Sequence, residues 1–386
     1  MHITTCYNGV EIHRADKIIY GKFLEPHLVL STCRVAGGIR QDLEYVLNHQ
    51  SCEPCNHSRN HKTAVLDPQK YRKQICSPHG LEPQKCATMG TAANMHHAAF
   101  IQKTFRNLDV WAVVTGGVET NAGRIGDPAS VFETEQGFER LDQPGPAEEP
   151  KPGTINIMLL IGHPLTEAAL TRSIMTATEA KTAALHELSV NSRYSSGLAT
   201  GTGTDQIIVA APDRDGFRLG WAGKHGKLGE LIGLAVIDGV KETLARQNSL
   251  TPRGQCCVKI HLERFGCNTN RLVAGVSEFL TPHQAEIFQN NSNGIFRDPV
   301  TVAAVAGLVH LRDKFTWQIL PASCWKEVMS NAAAQVACTI SLRYDKFDWY
   351  RQSLGQRADK RDDHGFLRLS YAALALGFSD KWPEGA

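Results

Sequence analysis

The chain has 386 residues, enough for a large core and for two domains, or for one with a substantial extension. Its 41 Lys and Arg against 39 Asp and Glu leave a net charge of +2 without a dense basic block, which argues against a nucleic-acid partner. Hydrophobic residues make up 42% of the chain, but no run approaches the roughly 18 apolar residues of a membrane span, and the opening MHITTCYNGVEIHR lacks the regions of a signal peptide. A cytoplasmic protein is expected, away from membranes, with its eleven cysteines as thiols rather than disulfides.

Taken in chain order, His27-Leu-Val-Leu-Ser-Thr32 predicts a strand, and Val35-Ala-Gly-Gly38 a glycine turn into Arg40–Leu47. Next comes a cluster that invites a zinc reading: Cys52-Glu-Pro-Cys55-Asn-His57, followed by Cys76 and His79. The spacing is half right, because Cys76 and Cys86 form no second CxxC knuckle and Pro54 sits inside the first pair. The preferred reading is an ordered loop carrying Glu53 and His57 toward a substrate, with no metal and no cofactor. Thr88-Met-Gly-Thr-Ala-Ala-Asn-Met95 predicts a small-residue loop opening a helix through Phe105, where Thr91 and Asn94 add polarity to exposed amides. Val110–Val114 predicts a buried strand that ends in Thr115-Gly-Gly-Val-Glu-Thr-Asn121. From Glu133 to Lys151 the composition turns acidic and proline-rich, as in a loop of low order.

The stretch from Gly153 to Ala210 is the most sharply patterned in the chain. Thr154–Ile161, between Pro152-Gly153 and Gly162-His163-Pro164, predicts a strand buried on both faces. Thr166 stands where an N-cap would, and Leu170, Ile174, Ala177, Lys181, Ala184 and Leu188 fall at helical spacing, with Lys181 interrupting an apolar face. Ala199-Thr-Gly-Thr-Gly-Thr-Asp205 then leads into the strand Gln206–Ala211. Glycine lets backbone approach a ligand closely, and the hydroxyls of Thr200, Thr202 and Thr204 donate and accept. Beyond it, Trp221–Gly229 reads equally as ligand contact or connector, and Glu230–Arg246 as a helix. Val300–Leu311 and Cys324–Leu342 read as helices, so residues 1–250 form the core and 251–386 a mainly helical extension whose role the sequence leaves open.

GTINIMLLIGHPLTEAAL, ATEAKTAAL and ATGTGTDQIIVA, in this order, together with Met89–Asn94 and Val114–Ala122, resemble the adenosylcobinamide amidohydrolases of corrinoid salvage over roughly residues 20–245. The resemblance implies hydrolysis of the amide between the corrin propionyl arm and aminopropanol, giving adenosylcobyric acid. A fainter likeness, carried by GTIN followed by HPL and a helix, is to the self-processing Ser/Thr aminopeptidases and ornithine acetyltransferases. It implies an αββα sandwich among the arrangements open to a mixed α/β (α+β) chain, with mixed sheets layered against helices. By that likeness Thr154 is the nucleophile, Asn121 an oxyanion donor and Asp205 part of the network, and the chain breaks between Gly153 and Thr154. Amide hydrolysis needs a nucleophile, a base and oxyanion donors, and no GxSxG or HExxH motif supplies them here. If water attacks instead, Asp205 or Glu119 is the base, and Thr91, Asn94, Asn156, Thr200, Thr202, Thr204, Glu53 and His57 face the corrinoid. A non-catalytic corrinoid carrier or sensor and a metal-assisted amidase are the alternatives, and self-association is left open.

Overall fold

The computed structural model describes residues 1–51, 63, 66–141 and 153–382, so Glu53, His57, Cys52, Cys55 and the proline-rich stretch from residue 144 to 152 lie outside the described residues. Two units are distinguished, Met1–Thr251 and Pro252–Ala386, and each is described by itself.

Unit one is built on two sheets. The chain runs through β1 (His2–Cys6), β2 (Val10–Ala15), β3 (Ile18–Phe23), β4 (His27–Ser31), β5 (Gly38–Arg40), β6 (Tyr45–Gln50) and, after helix α1 (Pro68–Cys76), β7 (Cys86–Thr91). It continues with β8 (Ala99–Phe105), β9 (Leu108–Gly117), β10 (Ala122–Gly123), β11 (Val131–Thr134), β12 (Gly137–Arg140) and β13 (Thr154–Ile161). Helix α2 (Glu167–Glu187), β14 (Gly201–Thr202), β15 (Gln206–Pro212) and helix α3 (Lys227–Asn248) complete the unit. One sheet has the order β1-β2-β3-β6-β7 and the other β5-β4-β15-β13-β9-β8.

Side-chain alternation along β13 explains the layering. Ile155, Ile157, Leu159 and Ile161 point to one face and pack with Leu170, Ala177, Ala184, Ile232, Val236 and Val240 of α2 and α3. Met158 and Leu160 point to the other and meet Val10, Ile12, Val46 and Met89 of the first sheet. On that sheet's far face Ile18 and Leu47 pack under Tyr71, Ile75 and Cys76 of α1. The result is a helix–sheet–sheet–helix sandwich, a mixed α/β fold. All eight β13 residues are buried, since the strand is covered on both faces, and it pairs parallel with β15 and antiparallel with β9. Thr166 caps α2 by accepting from the Ala169 amide at 3.2 Å.

The structure corrects two sequence expectations. No helix runs from Asn94 to Phe105: a single 3-10 turn, Met95–His97, is followed by β8, which pairs with β9 along its whole length from Ala99 opposite Val114 to Phe105 opposite Leu108. The long partner strand offers a full ladder of hydrogen bonds, which outweighs helical propensity in this short stretch. Nor is the region after Glu133 irregular throughout, because Glu133, Thr134 and residues 137–140 belong to the hairpin β11–β12, whose turn is closed by Gly137 at φ 117°.

Unit two is helical, with α4 (Thr269–Ser277), α5 (Pro282–Phe296), α6 (Pro299–Thr316), α7 (Trp325–Ser341), α8 (Phe347–Gly355) and α9 (Asp363–Lys381) as its longer helices. Phe288, Met329, Tyr350, Phe366 and Phe378 fill its core. Of the tryptophans expected to pack it, Trp325 is buried, with its indole N–H donating to Ala358 O at 2.7 Å, whereas Trp317 and Trp349 are exposed. Among the described residues no single helix is long and apolar enough to cross a membrane; α5 and α6 reach that apolarity only when taken together across an 82° bend.

Candidate active site

One edge of the sandwich gathers the polar residues. The starts of β13 and β15 and the end of β9 lie there in register, with Thr154 opposite Gly117 and Asn156 beside Gln206. Thr154 and Asn156 share the β13 face that looks toward the first sheet, where β6 ends in Asn48 and Gln50 and β7 in Gly90 and Thr91.

At the start of β13, the Thr154 hydroxyl lies 2.6 Å from that of Thr204, which itself donates to Gly153 O at 3.0 Å. A second donor, Asn121 Nδ2, reaches the same carbonyl at 3.0 Å. Tyr194 in turn donates its hydroxyl to Asn121 Oδ1 at 2.7 Å, fixing the amide so that its NH2 faces Gly153. Burial and then the charge of Asp127 push the Tyr194 phenol up, so it remains a donor. Only glycine fits at 153, since a Cβ there would stand 2.9 Å from Gly117 O and 3.0 Å from Asn121 Cβ.

Asp205 organises the Gly-Thr loop. Its Oδ1 accepts from the Ile155 amide at 2.8 Å and the Thr202 hydroxyl at 2.6 Å, while its Oδ2 accepts from the Thr202 amide at 2.9 Å and from Lys181 Nζ. The Lys181 and Asp205 side chains are 8% and 9% exposed, so this is a buried ion pair sustained by further hydrogen bonds. Gly201 is where that pair crosses the backbone, a Cβ there meeting Asp205 Oδ2 at 2.5 Å and Lys181 Nζ at 2.7 Å. Thr200 works one step away, its hydroxyl accepting from the Ile125 amide at 2.9 Å.

Between the sheets, Asn156 is fully buried, and its Nδ2 donates to Asn48 Oδ1 at 2.9 Å and Gly90 O at 3.0 Å. Asn48 Nδ2 continues to the Thr115 hydroxyl at 2.6 Å, and Gly90 N to Gln206 Oε1 at 3.3 Å. Thr91 accepts from the Ala93 amide at 3.1 Å, and Asn94 caps the 3-10 turn by accepting from the His96 amide at 2.9 Å. Glu119 is exposed on the turn that leads to Asn121. Among the residues suggested by sequence, the structure thus joins Thr154, Thr204, Asn121, Thr202 and Asp205 in one network. Thr91 ends the neighbouring strand and Asn94 caps the turn beyond it, and Glu53 and His57 fall outside the described residues. Sequence reasoning did not assign Lys181, Tyr194 or Asn48 to this edge; Lys181 alone left a signal, as the one charge on an apolar helical face.

Among the described residues no group of three or more His, Cys, Asp or Glu side chains is arranged to hold a metal ion. Cys76 and Cys86 are buried and face each other as thiols; their mutual hydrogen bond, then burial, push Cys86 up. Lys224 and Lys227, weighed as ligand contacts, pair with Glu179 and Glu230.

The family model for adenosylcobinamide amidohydrolase matches residues 3–252. The chain belongs to the adenosylcobinamide amidohydrolase family. Its amidohydrolase-family segment coincides with unit one and contains every residue of the network around Thr154. An uncharacterized protein of Methanocaldococcus jannaschii is 35% identical over 216 residues, covering 54% of this chain and 80% of that protein. The adenosylcobinamide amidohydrolase of Methanosarcina mazei is 28% identical over 215 residues, covering 54% of this chain and 86% of that protein.

Proposed function

We propose that this chain hydrolyses the amide joining the corrin propionyl arm to aminopropanol in adenosylcobinamide, releasing adenosylcobyric acid, and that Thr154 is the attacking group. The observation that carries the reading is the convergence of two side-chain donors, Asn121 Nδ2 and Thr204 Oγ, on Gly153 O, with the strand-initial Thr154 hydroxyl beside Thr204, inside the family segment. Such donors stabilise the oxyanion of acyl transfer when they are held in place beforehand, as Tyr194 holds Asn121. Asp205, with both oxygens engaged, is a positioning residue: it ties the Ile155 amide, and hence the start of β13, to the Thr202 turn. Glu119 is the exposed carboxylate closest in sequence to Asn121 and serves as base if water attacks.

Exposed apolar side chains support a bulky amphipathic substrate. Ile125, Phe132 and Phe138 are 85%, 60% and 49% exposed. Arg34 ties the hairpin to the catalytic edge: its guanidinium lies 5.9 Å from the centre of the Phe138 ring, and two residues earlier Thr32 bonds Ile207 at the start of β15. The corrin rests on the hairpin face that carries Phe138, since Phe132 is paired with Glu139 and lies on the other face, while its amide arm reaches Thr154.

Incubating purified protein with adenosylcobinamide and following adenosylcobyric acid by mass spectrometry is the direct test. Wild type should form product, and Thr154→Ala should lower kcat by about 10³-fold or more. Absence of product from wild type would overturn the activity. A folded, fully active Thr154→Ala protein would move the attack to water.

A further inference from the structure

We infer that this protein cuts its own chain between Gly153 and Thr154. The inference rests on the reading of Thr154 as a nucleophile, but it concerns a different bond, one that the structure shows. A backbone carbonyl at the start of a strand ordinarily finds one partner in the ladder. Gly153 O instead accepts from two side chains, Asn121 Nδ2 and Thr204 Oγ, each at 3.0 Å. These are the donors expected around an oxygen that becomes negative during acyl transfer. The hydroxyl of the next residue is on the same side of the chain, because Thr204 Oγ is within 3.0 Å of Gly153 O and 2.6 Å of Thr154 Oγ. With the Thr204 hydrogen directed to Gly153 O, the Thr154 hydrogen is the one shared between the two threonines. Gly153 is held in this cradle by packing that admits no side chain.

The chemistry balances with water as the only added reactant. Thr154 Oγ bonds to the Gly153 carbonyl carbon, and the charge passes to Gly153 O between Asn121 and Thr204. The hydroxyl proton goes to the Thr154 nitrogen as the C–N bond breaks, leaving an ester between Gly153 and the threonine side chain and a free α-amine. Water then cleaves the ester to a Gly153 carboxylate and restores the hydroxyl. Cleavage also explains how a substrate gains the site. In the intact chain the protein's own carbonyl fills both oxyanion donors, and after the cut the Gly153 end can withdraw and yield them to a substrate carbonyl. The new amine of Thr154 then stands beside its own hydroxyl as a base.

Intact-mass measurement and denaturing gels of the purified full-length protein test this. Wild type should convert from 42.4 kDa to pieces of about 17 and about 26 kDa, the larger beginning at Thr154, in proportion to its composition. Gel filtration without denaturant should still show one species, because β13 stays paired between β9 and β15. Thr154→Ser should cleave, Thr154→Val should remain whole, and Asn121→Ala should slow cleavage about 10²-fold by removing one donor. A wild-type chain that stays at full mass after prolonged incubation overturns the inference, and so does cleavage that persists in Thr154→Val. A chain that cleaves but leaves adenosylcobinamide untouched would instead refute the proposed function. One that stays whole and turns substrate over would refute this inference, and with it the use of Asn121 and Thr204 as the substrate's oxyanion donors, but not the activity.

Discussion

Lys181 and Asp205 show how a single residue can be visible in a sequence and its meaning hidden. A lysine on the apolar face of α2 has an obvious oddity, but its partner lies 24 residues away, across the turn from helix to Gly-Thr loop. Nothing in helical spacing names that partner. Once the fold brings them together, the pair is buried and further satisfied by Thr202 and the Ile155 amide. Removing one member leaves the other charge stranded, so Lys181→Met should cost about 3–5 kcal/mol of stability, read from the denaturant midpoint. The double change Lys181→Met with Asp205→Leu should recover a large part of that loss. A single variant as stable as wild type would show that the pair contributes nothing to the Gly-Thr loop. Thr154, Asn121, Thr204 and Asp205 were legible because hydroxyls and carboxamides at glycine-rich strand ends carry their own chemical logic. Tyr194 was not, because a lone tyrosine in a serine-rich loop has none until Asn121 is beside it.

At the scale of elements, legibility followed the strength of local pattern. β13, α2, β15 and α3 are bounded by Pro, Gly and an N-cap threonine, and the structure places them within a few residues of their sequence limits. β8 was misread because AFIQKTF carries little periodicity of its own and is made a strand by β9. The hairpin β11–β12 was masked by acidic and proline-rich composition in its neighbourhood, although its two phenylalanines and Gly137 mark it in retrospect. If that hairpin supports the corrin face, Phe138→Ser should raise KM for adenosylcobinamide about tenfold, in keeping with loss of an exposed apolar contact, and Phe132→Ser, on the opposite face, should not. The kcat should hardly change, since neither side chain touches the network at Thr154. An unchanged KM in Phe138→Ser would move the corrin contact elsewhere.

For the whole molecule, the division after Thr251 assigns all of the candidate chemistry to one unit. Residues 1–251 contain both sheets, the helices that cover them and the complete family segment, with a core of their own. We expect residues 1–251, produced alone, to fold cooperatively and to retain hydrolysis within about tenfold of the full chain. Circular dichroism melts and the adenosylcobinamide assay would check this, and an unfolded or inactive fragment would show that Pro252–Ala386 is required. The helical character of that second unit was legible from its alanine- and valine-rich runs. Its purpose was not, because packing residues carry no chemistry of their own.

The direction of the two long helices has an electrostatic consequence for the edge at Thr154. α2 leaves the far end of β13 and returns, so that Lys181 and Thr182 near its finish contact Asp205 and Thr200 O. α3 likewise finishes there, with Gln247 and Asn248 accepting from the amides of Asn94 and Val118. Both helices therefore present carbonyl ends, the negative pole of the peptide dipoles, where many α/β proteins offer amide ends to an anion. A negative charge that develops at Gly153 O or on a bound amide gains nothing from those poles. Its stabilisation must come from the amide of Asn121 and the hydroxyl of Thr204, with the Lys181 ammonium offsetting the helix ends from behind Asp205.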